Sequence, residues 1–397
     1  MTSLTTRLTL PRRALLFASA MHAWNDLFFA LLVPLLPVIK EDLGLSFTEI
    51  GLLRSVFSGA SAILQIPVGY FAENVGEFWL LVLGNVWVSL GLIGMGLSPT
   101  FPILLAMGFL GGLGGGAQHP LGSSMVSRAY DGGGRSTAVG TVNFAGDLGK
   151  MVAPLGALLA IPFGWRAAVW SIGLAGLVFM ATSIPARRAV DIGRPQPRSR
   201  DTVAEGRCKN PMGGFALLSL VGFLDSGIRG ATLVFLPFIM DAKGLGIGEI
   251  GVLLVLLFAG GAAGKYVVGW LGERFRPVTL IWATKGMTAG LLVLSLAVSP
   301  MALVPLVVLL GLGLNGTSSV LYASVAELIP PHRRSRLYGY FYTTNETGTV
   351  LAPLVYGIIA DLSSLNMTVM VMGAATLVIL PVSLTLRRHL GPRAPAK

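Results

Sequence analysis

Ala14-Leu-Leu-Phe-Ala-Ser-Ala-Met-His22-Ala-Trp24-Asn25-Asp26-Leu-Phe-Phe-Ala-Leu-Leu-Val-Pro-Leu-Leu-Pro-Val38 is an apolar run interrupted at its middle by a histidine, an amide and a carboxylate. Its length suits a helix crossing a bilayer. A carboxylate at that depth costs about 3 kcal/mol on the mildest insertion scale, so it persists only where it pairs, lines water or works. Asp26 is therefore read as lining a solute path through a membrane. The start of the run, Arg12-Arg13 followed by Ala18-Ser19-Ala20, mimics a signal peptide with its cleavage site. Cleavage is not expected, because the apolar character continues to Val38 and an internal repeat described below needs this segment.

Composition agrees with that reading. The chain has 397 residues, 53% of them hydrophobic and only 12% charged, with a mean hydropathy of +0.75. That leaves too little polar surface to cover a soluble globule of this size. Apolar runs long enough to span fall at 14–38, 48–70, 78–98, 101–127, 136–161, 165–186, 212–240, 247–270, 278–298, 301–327, 335–360 and 366–386. The expected fold class is thus an all-α membrane protein with twelve transmembrane helices. The single cysteine, Cys208, excludes an internal disulfide framework.

With the amino terminus placed inside, arginine and lysine collect in the cytoplasmic segments, and the outer loops hold only Lys40, Arg166 and Lys243. This positive-inside bias predicts a multi-pass protein of the plasma, bacterial inner, membrane with both termini cytoplasmic. It also accounts for the net charge of +11 without nucleic-acid binding, since the basic residues lie in separate segments rather than on one surface.

The Arg- and Pro-rich stretch 187–211 reads as a cytoplasmic linker between two halves, residues 1–186 and 212–397. The halves match each other. Glu49-Ile50-Gly51-Leu52-Leu53 recurs as Glu249-Ile250-Gly251-Val252-Leu253, Pro37 as Pro237, Gly69 as Gly269 and Glu73 as Glu273, at an offset of 200. Further on the offset is 199, pairing Gly140 with Gly339, Asp147 with Glu346, Gly149 with Gly348, and Ala153-Pro154 with Ala352-Pro353. Such register predicts two pseudo-symmetric six-helix bundles about an axis along the membrane normal.

Twelve spans in two halves, a basic central loop and Gly-x-x-x-Glu after spans two and eight resemble the major facilitator superfamily. Its loop motif, Gly-x-x-x-Asp-Arg-x-Gly-Arg-Arg, is carried best by Gly269-Trp-Leu-Gly-Glu273-Arg274-Phe-Arg276. The first-half copy, Gly69-Tyr-Phe-Ala-Glu73-Asn74-Val-Gly76, keeps both glycines and the acid but lacks the arginine. The resemblance implies a conformational latch at these residues, weaker in the first half. It also implies that spans one, four, seven and ten line a central cavity, with two, five, eight and eleven beside them. His22-x-x-Asn25-Asp26 and the His119-Pro120 step in a glycine-rich fourth span are similar to the fosmidomycin-resistance branch of exporters.

The buried polar groups carry the chemistry. At a 1.5 Å rise per residue, Asp147 and Glu346 lie about 16 Å into their spans, near the bilayer midplane. Asp26 and Asp225 reach similar depth, and the offset of 200 sets Asn25 against Asp225. Asp26, Asp147 and Glu346 are the proton-carrying candidates, because a carboxyl that alternates between wet and closed surroundings changes its proton affinity. Asp147 has Lys150 at i+3, whereas Asp26 and Glu346 have no basic neighbour at i±3 or i±4 apart from His22, which favours those two. His22 and His119 titrate near neutrality and are relay candidates, although a lone membrane histidine more often bonds across helices. Asp225 and Arg229, at i and i+4, are read equally as mutual neutralisation and as cavity groups. Lys150 is assigned a structural role, as are Lys265 and Lys285, which lie nearer the cytoplasmic side where long side chains can snorkel. Arg54, facing a cavity, would grip a carboxylate or phosphonate with its bidentate fork.

Asn25, Gln118, Asn143, Asn315, Tyr342 and Asn345 complete the substrate-binding candidates, while Trp24 reads as packing. The glycine string Gly111 to Gly116 is no nucleotide loop, having no preceding strand and no acidic ribose partner. It reads as close helix packing, bent at Pro120. No enzyme chemistry and no cofactor are expected. His22, Asp26 and His119 make only a partial metal set, and no metal is assigned. The expectation is a proton-coupled secondary transporter, functional as a monomer, exporting a small amphipathic or anionic compound. Uptake or exchange of an organic acid is the nearest alternative; a non-transporting receptor or intramembrane enzyme is remote.

Overall fold

The computed structural model describes residues 9–65, 67–130, 134–190, 211–328 and 334–390, and every regular element among them is helical. In order these are α1 (Leu10–Leu31), α2 (Leu36–Leu43), α3 (Phe47–Gln65), α4 (Pro67–Val75), α5 (Glu77–Gly96), α6 (Phe101–Gly115), α7 (Gln118–Ala129), α8 (Arg135–Val152), α9 (Leu155–Ser183), α10 (Arg187–Val190), α11 (Pro211–Asp241), α12 (Ile247–Leu271), α13 (Pro277–Ala297), α14 (Pro300–Leu328), α15 (Arg334–Leu362) and α16 (Leu365–Leu386). Span one is α1 with α2, span two α3 with α4, and span four α6 with α7. Span five runs through α8 into α9, and Gly164 at φ +77° turns the chain into span six. Of the linker expected at 187–211, residues 191–210 lie outside the described residues, and Arg187–Val190 is helical.

Proline sets the breaks. Proline cannot donate to the carbonyl four residues back and its ring crowds it. Accordingly span four parts at Gly116-Ala117, four and three residues before Pro120, and span one passes through a single 3-10 turn at Val33–Leu35 around Pro34. Where proline falls in the first turn its missing N–H is harmless, as at Pro11 in α1, Pro102 in α6 and Pro277 in α13.

The repeated glutamates have a local cause. Ser46 caps α3 by accepting from the Glu49 amide at 3.1 Å, and the Glu49 carboxylate accepts from the Ser46 amide at 2.8 Å. In the second copy Glu249 accepts likewise from the Gly246 amide at 2.8 Å. Each glutamate thus closes the capping pattern that starts its helix. The start of α3 is further held by Asp361 at the end of α15, which accepts from the Phe47 amide at 2.9 Å, the Thr48 amide at 2.7 Å and the Thr48 hydroxyl at 2.5 Å. Partial burial pushes the Asp361 carboxyl up, but hydrogen bonds from Thr48, Phe47 and Ser46 outweigh it and hold the group below the usual carboxylate range.

The chain divides into two compact units, 1–43 with 56–198, and 44–55 with 199–397. In the first, Phe17, Met21, Phe78, Leu81, Leu121 and Met125 form the core where α1, α5 and α7 meet. In the second, Leu218, Ile281, Leu321, Val325, Phe341 and Ile379 do the same for α11, α13, α14, α15 and α16. Helices approach closely on glycine. A Cβ on Gly91 or Gly111 would strike the facing glycine backbone, so only these residues let α5 and α6 cross at that distance.

Ten segments of the described residues are long and apolar enough to cross a membrane. The long helices outside that set are α8 and α15, which carry Asp147, Lys150 and Glu346. Tyr266, Phe163, Leu97, Ile161 and Ile63 are all more than half exposed, an outer surface suited to lipid and not to water. The protein is a multi-pass membrane protein.

Candidate functional site

In the first unit the site is built on one helix crossing. Gly149 of α8 packs against the carbonyl of Ala23, and Gly146 against the imidazole of His22 and the carboxylate of Asp26; a Cβ at either position would collide. The absence of side chains there draws α8 onto α1 and sets Asp147 and Lys150 beside Asp26. Lys150 Nζ lies 2.9 Å from Asp26 Oδ2 and 3.5 Å from Asp147 Oδ1, so one ammonium is shared by two carboxylates. His22 Nε2 lies 3.5 Å from the same Asp26 oxygen. The His22 ring meets the His119 ring edge to face, centroids 4.6 Å apart. His22 and Asp26 are 2% and 4% exposed, whereas Lys150 is partly open and His119 exposed. The cluster is sealed on the α1 side and reached from the side of His119 and Lys150.

Lys150 therefore does more than neutralise its own helix neighbour, and Asp26, which has no lysine or arginine nearby in sequence, has one in space. Two other candidates of this unit face its interior. Asn25 donates to Asn85 Oδ1 at 3.2 Å, and Asn85 donates in turn to the Met21 carbonyl at 3.1 Å. Gln118 donates to the Leu81 carbonyl at 2.8 Å. These amides pin α1 and α7 to α5, and both are buried. Asn143 is exposed one turn before Asp147. Trp24 packs on Phe28 and Phe179, as expected of a packing aromatic.

The second unit repeats the crossing with different groups. Gly348 of α15 meets the carbonyl of Phe223 of α11, matching Gly149 against Ala23 at offsets of 199 and 200. The filling is reversed: where the first unit has His22 over Gly146, the second has Gly222 under Asn345. Asp225 pairs with Lys285 of α13, whose side chain has 0% exposure. Lys285 does not snorkel; it points inward because Asp225 supplies the countercharge within the bundle. Arg229 lies 3.8 Å from the same carboxylate and donates to Ser226 Oγ at 3.2 Å. Arg54 of α3 falls within this unit and is under the electrostatic influence of Glu346.

Tyr322 is the group that sequence reasoning missed. Its ring stacks on Tyr342 at 5.1 Å and meets Phe341 edge-on at 5.7 Å, and it is hydrogen-bonded to Asn345 and within electrostatic reach of Arg229, Glu346 and Asp225. The available signal was spacing, since Tyr322 lies seven residues, two turns, beyond Asn315 on the same helix face. Asn315 itself abuts Gly261 of α12, and its amide donates to the Gly311 carbonyl at 3.4 Å.

Of the latch candidates, Glu273, Arg274 and Arg276 are exposed with Gly69 and Gly269, and Arg274 stands 4.3 Å over the Trp270 ring. Gly76, at φ +88°, precedes α5. The side chain of Glu73 lies outside the described residues. The next residue was overlooked: Glu77 stands at the ninth motif position, where the family motif has arginine. It is 2% exposed and accepts from Arg128 Nη2 at 2.6 Å and from Ser124 Oγ at 2.5 Å.

The family model for the Major Facilitator Superfamily matches residues 17–209 and 218–397. The chain belongs to that superfamily. It is a transporter and not an enzyme, and the twelve-helix, two-bundle fold is that of its family. The Escherichia coli (strain K12) fosmidomycin resistance protein is 26% identical over 356 residues, covering 88% of this chain and 86% of the relative. A gentisate transporter from Corynebacterium glutamicum is 27% identical over 340 residues, covering 81% and 75%. Among solved structures, a bacterial homologue of the human lysosomal transporter Spinster superposes with a TM-score of 0.78 at 15% identity, covering 95% of this facilitator chain and 96% of the other. That likeness is one of fold.

Proposed function

We propose that this facilitator is a proton-coupled secondary transporter of the inner membrane, with cytoplasmic termini, exporting a small anionic or amphipathic compound by alternating access of its two bundles about the linker 187–211. The observation that carries the reading is the Asp26 carboxylate, nearly sealed from solvent and sharing the Lys150 ammonium with Asp147. A proton on Asp26 removes the charge that holds Lys150 and leaves the ammonium to Asp147. His119, exposed and in ring contact with His22, offers the entry for that proton. In the second unit Arg54 and Arg229 provide guanidinium groups for an anionic substrate, with Glu346 as the second proton-carrying candidate and Tyr342, Asn345 and Tyr322 beside it. Proton and substrate each bias the same alternating-access equilibrium, which is what coupling requires.

Purified protein in proteoliposomes tests this. Asp26→Asn should abolish flux driven by a pH gradient while leaving substrate counterflow intact, and Glu346→Gln made in parallel ranks the two carboxyls. Unchanged pH-driven flux in both variants removes the coupling assignment. Uptake of an organic acid is the second reading, favoured by the relative named as a gentisate transporter. Imposing the gradient with each sign separates export from uptake, because the substrate moves against the proton in one case and with it in the other.

A further inference from the structure

His22 and Asp26 of α1 and His119 of α7 each present one ligand atom, and the three atoms lie within 4.8 Å of one another. The edge from His22 Nε2 to Asp26 Oδ2 is 3.5 Å, near the roughly 3.3 Å edge of a tetrahedron whose zinc bonds are about 2.0–2.1 Å. The other two edges, each no longer than 4.8 Å, both involve His119, the exposed member. His22 is 2% exposed and turns Nε2 toward Asp26. Gly146, where a Cβ would collide with the imidazole and the carboxylate, lets α8 pack against both.

We propose that His22, Asp26 and His119 form a binding site for a divalent transition-metal ion of the zinc class. Two imidazoles and one carboxylate are a donor set that suits zinc and cobalt. Magnesium and calcium, which take oxygen ligands, are disfavoured. Three protein ligands leave a fourth position for water. The ammonium of Lys150, 2.9 Å from the Asp26 oxygen, opposes the ion. It already has a second carboxylate at 3.5 Å in Asp147, so an entering metal transfers Lys150 to Asp147 and leaves no charge stranded. The bound ion occupies the carboxylate assigned above to the proton and arrests transport, yet its binding does not depend on that assignment.

The full-length protein in detergent, titrated with Co2+, should develop the visible absorption of a four-coordinate cobalt site at one equivalent, and Zn2+ should bleach it. His119→Ala changes an exposed side chain and leaves the fold intact, as size-exclusion chromatography will check. It should weaken Zn2+ binding by at least about tenfold, as should His22→Ala. Lys150→Met, which removes the competing charge, should tighten binding by about tenfold. Replacing the chain's other histidines, His332 and His389, should leave it unchanged. Absence of cobalt bands in the wild-type protein, retention of full affinity in His119→Ala, or loss of binding in the His332 and His389 variants overturns the site. Transport assays with and without Zn2+ then report separately on the proton reading, since metal binding does not require that Asp26 carry the coupled proton.

Discussion

Lys285 has no exposed surface and meets Asp225 inside the second bundle. Burying two charges is costly, and a pair of this kind contributes little net stability over apolar residues, but removing one partner strands the other. Lys285→Met alone is therefore expected to destabilise the protein by about 3–5 kcal/mol. The double variant Asp225→Leu with Lys285→Met should recover most of that loss. Thermal unfolding in detergent followed by tryptophan fluorescence measures both; equal losses in the single and double variants would show that the ion pair is not what the bundle depends on. Arg229 bears on the same carboxylate from one helical turn away, so Arg229→Gln should cost less than Lys285→Met. Sequence position does not reveal this hierarchy, since Lys285 and Arg229 are both basic residues within the spans and only the direction of each side chain separates them.

Among elements, the end of α15 and the start of α3 form the joint with a defined pH response. The Asp361 carboxylate closes the first turn of α3, where free amides and the helix dipole favour a negative charge. Its folded-state affinity for protons lies below the ordinary carboxylate value, so its stabilising contribution is fully present above that ordinary value and is lost as pH falls through the lowered one. Asp361→Asn should thus lower the apparent melting temperature at neutral pH, and the gap from the wild type should close as the pH drops below the carboxylate range. A gap that persists unchanged in acid would assign the effect to packing. The crossings of α1 with α8 and of α11 with α15 were legible only in part. The matched glycines Gly149 and Gly348 stood out in the repeat, but that each abuts a carbonyl of the preceding half-site helix, and so brings Lys150 onto Asp26, depends on helix rotation. The spans themselves were legible because twenty consecutive apolar residues have few other uses. α8 and α15 were recoverable mainly through the repeat, since their functional charges dilute the apolar signal.

At the scale of the whole chain, the two halves keep a common frame and divide the chemistry. His22, His119 and Lys150 gather around Asp26 in the first unit, while Arg54, Glu346 and Tyr322 lie within reach of one another in the second, beside the Asp225–Lys285 pair. The division predicts that substitutions in the two units separate kinetically: Lys150→Met should alter the pH dependence of transport, and Arg54→Gln should raise the substrate KM for an anion while leaving that pH dependence in place. Transport measured over a range of pH and substrate concentration distinguishes the two, and identical profiles would deny the division. The sequence carried the residue types of both clusters but not their partition, because Arg54 lies in the first half of the chain and clusters with the second. The contact of Glu77 with Arg128 and Ser124 bears on descent and engineering. A chimera that imports the short loop before α5 from a relative with arginine at the ninth motif position would bring two cations together, that arginine and Arg128. In this chain the loop and that helix end therefore act as one module, and a breakpoint between them separates Glu77 from its partners.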